Sequence, residues 1–187
     1  LRSNTPSLVP EILERPFLKL GGYFVQLPWV TGLQNNSTAA INNLRRLGAR
    51  RTEAQEETRR IEGKLGALFK YRGFKVIQGL HPNPDAYPEV GEIDLICARD
   101  GIVLVVEVKS SFRRSSQREA WLHGKTTLRK AGQQLRRKVA AVHRMLETEP
   151  GGGPELGLSS IFAVHGIIAD TSIEHDHERF NGFLKVS

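Results

Sequence analysis

Three carboxylates, Glu92, Asp94 and Glu107, and the lysine Lys109 interrupt otherwise apolar stretches, and their types suit a hard divalent cation held beside a phosphate. Asp94 lies in Gly91-Glu92-Ile93-Asp94-Leu95-Ile96, and Glu107 and Lys109 lie in Val105-Val106-Glu107-Val108-Lys109-Ser110. Glu62 precedes both, three residues before Leu65. Magnesium takes oxygen ligands and keeps several waters, so two or three carboxylates suffice to hold it. Such an ion lowers the pKa of a water, polarises a phosphoryl oxygen and offsets charge on a leaving oxygen. A lysine adds a compact point charge near the phosphate. No Ser, Cys or His nucleophile is required.

The elements that must position these groups follow from periodicity. Side chains alternate along a strand, so Glu92 and Asp94 share one side while Ile93, Leu95 and Cys97 share the other. Glu107 and Lys109 likewise share a face, opposite Leu104, Val106 and Val108. Asp100-Gly101 predicts a tight antiparallel hairpin between runs 90–98 and 102–110, which sets Asp94 beside Glu107. Burying such acids unpaired costs on the order of several kcal/mol each, so a cation or a salt bridge must compensate.

Ahead of the hairpin, Thr52 and Gln55 form a capping-box pattern. Thr58, Ile61, Leu65, Leu68 and Phe69 then recur at helical spacing, and Gly73 suits a left-handed helix end. Glu62 borders the apolar face of that helix, whereas Glu53, Glu56 and Glu57 oppose the positive end of the helix dipole. Residues 74–80 read as a further strand. A long helix over 116–148, broken near Gly124, carries the stripe Leu128, Ala131, Leu135, Val139, Val142 and Leu146. Residues 160–169 read as a central strand, and 182–187 as another. This order predicts an α/β fold: three layers, α/β/α, around a central mixed sheet of four to five strands.

Residues 1–51 differ in character. Residues 17–20 and 23–30 flank Gly21-Gly22 as a hairpin, and a helix is expected over about 39–47. We read 1–51 as the tail of a preceding domain and 52–187 as the chemistry-bearing domain. Leu1 to Pro6 lack an initiator Met and a signal pattern, which suggests a piece of a longer protein with neighbouring domains.

Composition narrows the class. Hydrophobic residues are 39% and charged residues 25% of the 187, the balance of a globular domain. One cysteine excludes an intrachain disulfide and fits a reducing, cytoplasmic setting. No stretch approaches the roughly 20 apolar residues of a membrane span. The net charge is +7, and between Lys109 and Arg144 there are 11 Lys or Arg against one acid, Glu119. That bias fits a polyanionic partner, although a solvated helix face gives the same composition.

The run Gly91-Glu92-Ile93-Asp94-Leu95-Ile96, a short turn and Val105-Val106-Glu107-Val108-Lys109-Ser110 resembles the core of PD-(D/E)XK nucleases, in particular nuclease-related (NERD-like) and archaeal Holliday-junction-resolvase-like domains. The resemblance covers about residues 52–170. It implies a restriction-endonuclease-like core and a Mg²⁺- (or Mn²⁺-) dependent deoxyribonuclease in which Asp94, Glu107 and Glu62 are metal ligands. Lys109 would orient the attacking water or steady the developing charge. Gln134 would match a glutamine that the family often carries on the next helix, since it lies nearer the Ala131/Leu135 stripe than Gln133. Arg113, Arg114, Arg118, Lys125, Arg129, Lys130, Arg136, Arg137 and Lys138 would contact DNA phosphates. Many relatives pair up to cut both strands, so the resemblance also allows a homodimer.

The literal Pro-Asp pair is Pro84-Asp85, within a Pro-rich loop, and Asp94 is preferred as the strand residue paired with Glu107. Two rival readings stand beside the nuclease: a catalytically silent module of the same fold that binds nucleic acid or a partner, and a purely structural domain of a larger enzyme. Cys97, Trp29 and Trp121 read first as packing residues, His165 as a core or near-site residue, and His175-Asp176-His177 as a polar loop. Trp121, among basic residues, also has the means to stack on a base.

Overall fold

The structure is a computed structural model that describes residues 17–26, 28, 51–111, 117–148, 156 and 163–187. Strands β1 (Phe17–Leu20) and β2 (Tyr23–Gln26) form an antiparallel hairpin through Gly21-Gly22. The helix expected over 39–47 lies outside the described residues.

Helix α1 (Arg51–Tyr71) begins one residue before Thr52 and ends at Gly73, whose φ of 83° takes the left-handed conformation that stops a helix. Strands β3 (Lys75–Leu80), β4 (Ile93–Arg99) and β5 (Ile102–Lys109) follow as an antiparallel meander. Asp100 and Gly101, with φ of 50° and 78°, form the two-residue turn between β4 and β5. Both central φ values are positive, which matches the twist of the strands that the turn joins.

Helix α2 (Gln117–His123) widens into a π-helical turn at Gly124–Leu128 and continues as α3 (Arg129–Thr148). The break expected near Gly124 is thus a local change of helical pitch. Strand β6 (Ala163–Asp170) returns parallel to β5, and β7 (Arg179–Phe180) and β8 (Phe183–Val186) close the order β3-β4-β5-β6-β8-β7. The sheet is mixed, as expected, but has six strands where four to five were expected. The extra strand is the two-residue β7, too short to leave a periodic signal.

The sheet divides its side chains between two cores. Leu95, Cys97, Val106 and Val108 face α1, where Ile61, Leu65 and Phe69 meet them. Ile96, Ala98, Val103, Val105 and Ile168 face the π turn and α3, where Leu128 of the turn and Ala131, Leu135 and Val142 of the helix meet them. At the β7 end α3 comes close to the sheet: a Cβ on Gly132 would fall on the carbonyl oxygen of Phe180. No described helix is long and apolar enough to cross a membrane.

Candidate functional site: two carboxylates on one ammonium

The β4–β5 register pairs Leu95 with Val106, so Asp94 and Glu107 stand one step further along, where the strands part. There the Asp94 side chain replaces a ladder partner: its Oδ2 accepts the Val108 N–H at 2.7 Å. Its Oδ1 accepts from Lys138 Nζ at 2.7 Å, and the same ammonium donates to Glu107 Oε2. Glu107 Oε1 accepts from Lys109 Nζ at 2.5 Å, and Lys109 also reaches Gln134 Oε1 at 3.4 Å. Alternation along two strands and one turn of α3 therefore bring Asp94, Glu107, Lys109, Gln134 and Lys138 together.

Lys138 is the residue that sequence reasoning misplaced. Expected among the exposed phosphate contacts, it is 4% exposed and closes the acidic pair. Burial opposes its charge, but Glu107 and Asp94 outweigh that and hold its pKa above the ordinary lysine value. The signal was present in the sequence. Lys138 lies seven residues after Ala131 and four before Val142, on the apolar stripe. A lysine at a stripe position needs a buried anion.

Glu62 sits half-buried on α1. Burial, and then the charges of Asp94 and Glu92, push its carboxyl above the usual range. It stands near the pair without joining it: among the described residues no three His, Cys, Asp or Glu side chains are grouped to hold a metal. Asp85 is exposed in a turn with its own N–H on Asn83 Oδ1 at 3.0 Å. Cys97 is a fully buried thiol, pushed up to about 12 by burial, and so a packing residue. His165 is exposed on β6, not in the core.

Of the expected DNA contacts, Arg118, Lys125, Arg129, Lys130, Arg136 and Arg137 are exposed, and Arg137 pairs with Glu89 at 3.1 Å. Arg113 and Arg114 lie outside the described residues. Trp121, expected to pack, is 57% exposed.

A second cluster lies on the neighbouring strand. The β5–β6 register sets Asp170 beside Lys109, at the carboxyl ends of two parallel strands. Asp170 Oδ2 meets His123 Nε2 at 2.8 Å and accepts the Ser172 hydroxyl, and Oδ1 accepts that of Ser111. Burial would raise the Asp170 pKa, but these hydrogen bonds and the nearby imidazole hold it below the ordinary value. Thr171 completes the joint: its hydroxyl takes the Ser111 N–H at 2.9 Å, and its own N–H donates to Lys109 O at 3.1 Å. No signal in a single sequence announces this cluster, because it depends on which strands lie side by side.

The Asp94–Glu107 pair offers hard oxygen donors that already converge on one cation, Lys138 Nζ. The donor chemistry fits a single divalent ion at that point, and such an ion would compete with the ammonium for the same oxygens. No protein-family model, curated protein or solved structure matches the chain.

Proposed function

We propose that the chain is a Mg²⁺- or Mn²⁺-dependent nuclease that hydrolyses DNA phosphodiesters, with a restriction-endonuclease-like core. The observation that carries this reading is the convergence of Asp94 and Glu107 on one cationic point, with Lys109 at its open side. Asp94 and Glu107 would hold the ion, and Glu62 would add an outer carboxylate. Bound there, a divalent cation supplies Lewis acidity toward the phosphoryl oxygen and the attacking water. Lys109, whose side chain is 26% exposed, can place its charge on the phosphate while Glu107 and Gln134 fix its direction. Lys138 donates to both acids and so holds them together when no metal is bound. The exposed cations of α2, the π turn and α3 supply phosphate contacts, so binding weakens steeply with salt.

One observation favours the silent module instead. Asp94, Glu107, Lys109 and Lys138 sum to no net charge, so the cluster is compensated without metal. Plasmid and single-stranded DNA incubated with Mg²⁺ or Mn²⁺ decide between the readings. The nuclease cuts, and Asp94→Ala and Lys109→Ala each reduce cutting by at least about a hundredfold. Equal cutting by all three rejects the site. Calorimetry that finds no Mg²⁺ or Mn²⁺ binding, with DNA binding retained, establishes the module.

A further inference from the structure

Away from the acidic pair, the opposite flank of α3 borders a groove of about 490 Å³ between the π turn and the β7 hairpin. Its floor and rim include Trp121, Lys125, Arg129, Arg179 and Phe180. Three cations face one acid, Glu178, whose Oε1 is engaged by His175 Nδ1 at 3.0 Å. Trp121 presents its ring to solvent, with Lys125 Nζ 6.0 Å from the ring centroid.

The groove is held open by bonds across it. His175 Nε2 lies 2.9 Å from Ala120 O, and Asn181 Nδ2 donates to Arg129 O at 3.1 Å. His175, between β6 and β7, and Asn181, in the turn between β7 and β8, adopt φ of 59° and 52°, so each bond starts from a left-handed backbone position. Gly124 admits the His175 ring, which a Cβ there would meet at 2.9 Å. The π turn belongs to a rare conformation that is frequent at functional sites. An exposed indole in a preformed groove lined by three cations is complementary to a flat heterocycle that carries phosphates.

We propose that this groove binds single-stranded DNA, one base stacking on Trp121 while Lys125, Arg129 and Arg179 hold flanking phosphates. The inference rests on the reading of the chain as DNA-directed and adds the form of DNA that it takes. Arg129 lies five residues before Gln134, about 7.5 Å along the axis of α3. Groove and acidic pair are thus offset along the helix and lie on different flanks of it. A paired base has no free face to offer the indole, so the site selects unpaired strands.

The test is anisotropy of a labelled oligothymidylate, titrated in EDTA so that cutting plays no part. The wild type binds it, Trp121→Ala weakens binding about tenfold, and Trp121→Phe stays within about twofold. Lys125→Glu with Arg179→Glu weakens it further and flattens the salt dependence. A duplex of the same length is bound equally by the wild type and Trp121→Ala. The proposal is overturned by Trp121→Ala binding the oligothymidylate as the wild type does, by Trp121→Phe losing as much as Trp121→Ala, or by equal losses on the duplex. Tighter binding of oligouridylate would assign the groove to RNA and overturn it too. Matching circular-dichroism melts show that each variant folds, as the exposure of these side chains leads one to expect. A chain that binds through Trp121 but cuts nothing removes the nuclease reading and leaves the groove; one that cuts, with Trp121→Ala binding unchanged, removes the groove alone.

Discussion

Glu107 and Asp170 occupy neighbouring parallel strands near the same end of the sheet, yet their carboxylates are stabilised in different ways. Asp170 is sealed. Its side chain is fully buried, its imidazole partner is 5% exposed, and two of its three donors are neutral hydroxyls. Glu107, with Asp94, is held by two ammonium groups, and the pair opens to solvent at Asp94 and Lys109, 13% and 26% exposed. Two hydroxyls and an imidazole, each from a different chain segment, leave no ammonium partner for an incoming ion to displace at the buried carboxylate. In the proposed metal site, the Lys138 ammonium is the group that an incoming ion would displace. Two carboxylates of comparable burial thus differ in the charge of their partners and in their access to solvent.

That contrast can be broken most directly by activity. Asp170→Asn should cut DNA within about threefold of the wild type, against the hundredfold or greater loss expected of Asp94→Ala. A comparable loss in both would make the sealed cluster part of the chemistry. Next in size is Lys138→Met, which leaves two acids without their shared cation. In EDTA it should unfold about 3 kcal/mol more readily than the wild type by urea denaturation. Mg²⁺ should restore it more than it stabilises the wild type, because the ion fills the vacated position. Absence of any Mg²⁺ effect on Lys138→Met would remove the metal site. Since the Lys138 pKa is raised, its contribution is complete below the ordinary lysine value of about 10.4 and is lost only as pH rises through the higher folded value.

Asp170 gives the opposite dependence. Its folded pKa is lowered, so its contribution is present above about pH 3.9 and is lost as pH falls through the folded value. Asp170→Asn should cost about 1–3 kcal/mol at neutral pH, and the deficit should shrink in more acidic buffers. Melting curves across that range check it. Smallest is Gln134→Ala. The Lys109 contact that it removes is 3.4 Å long, so cutting should fall only about two- to fivefold, with stability unchanged.

What was legible in the sequence was whatever has a short period. Alternation placed Asp94 and Glu107 on one face, Asp100-Gly101 set their register, and the stripe from Leu128 to Leu146 oriented α3. Gln134 was separated from Gln133 by that stripe alone, and the structure leaves Gln133 exposed while Gln134 meets Lys109. Lys138 was legible in the same stripe, but its place in a basic run suggested solvent. The Asp170 cluster and the fully buried Lys185, whose ammonium donates to Ser172 O, depend on parallel neighbours distant in sequence. No local pattern carries that information. Trp121 fell between the two cases: its basic surroundings were visible, but its exposure was not.

Gly132 gives α3 its height above the sheet. Because no methyl group stands between that residue and the Phe180 carbonyl, the helix rests on the strands at one end, and the lysine and glutamine further along inherit their reach from that seat. An alanine there would act as a wedge under a lever, tilting both cation and amide away from the acids without touching either. The spacing of the charged cluster is thus set at the far edge of the sheet, by an atom that the chain omits.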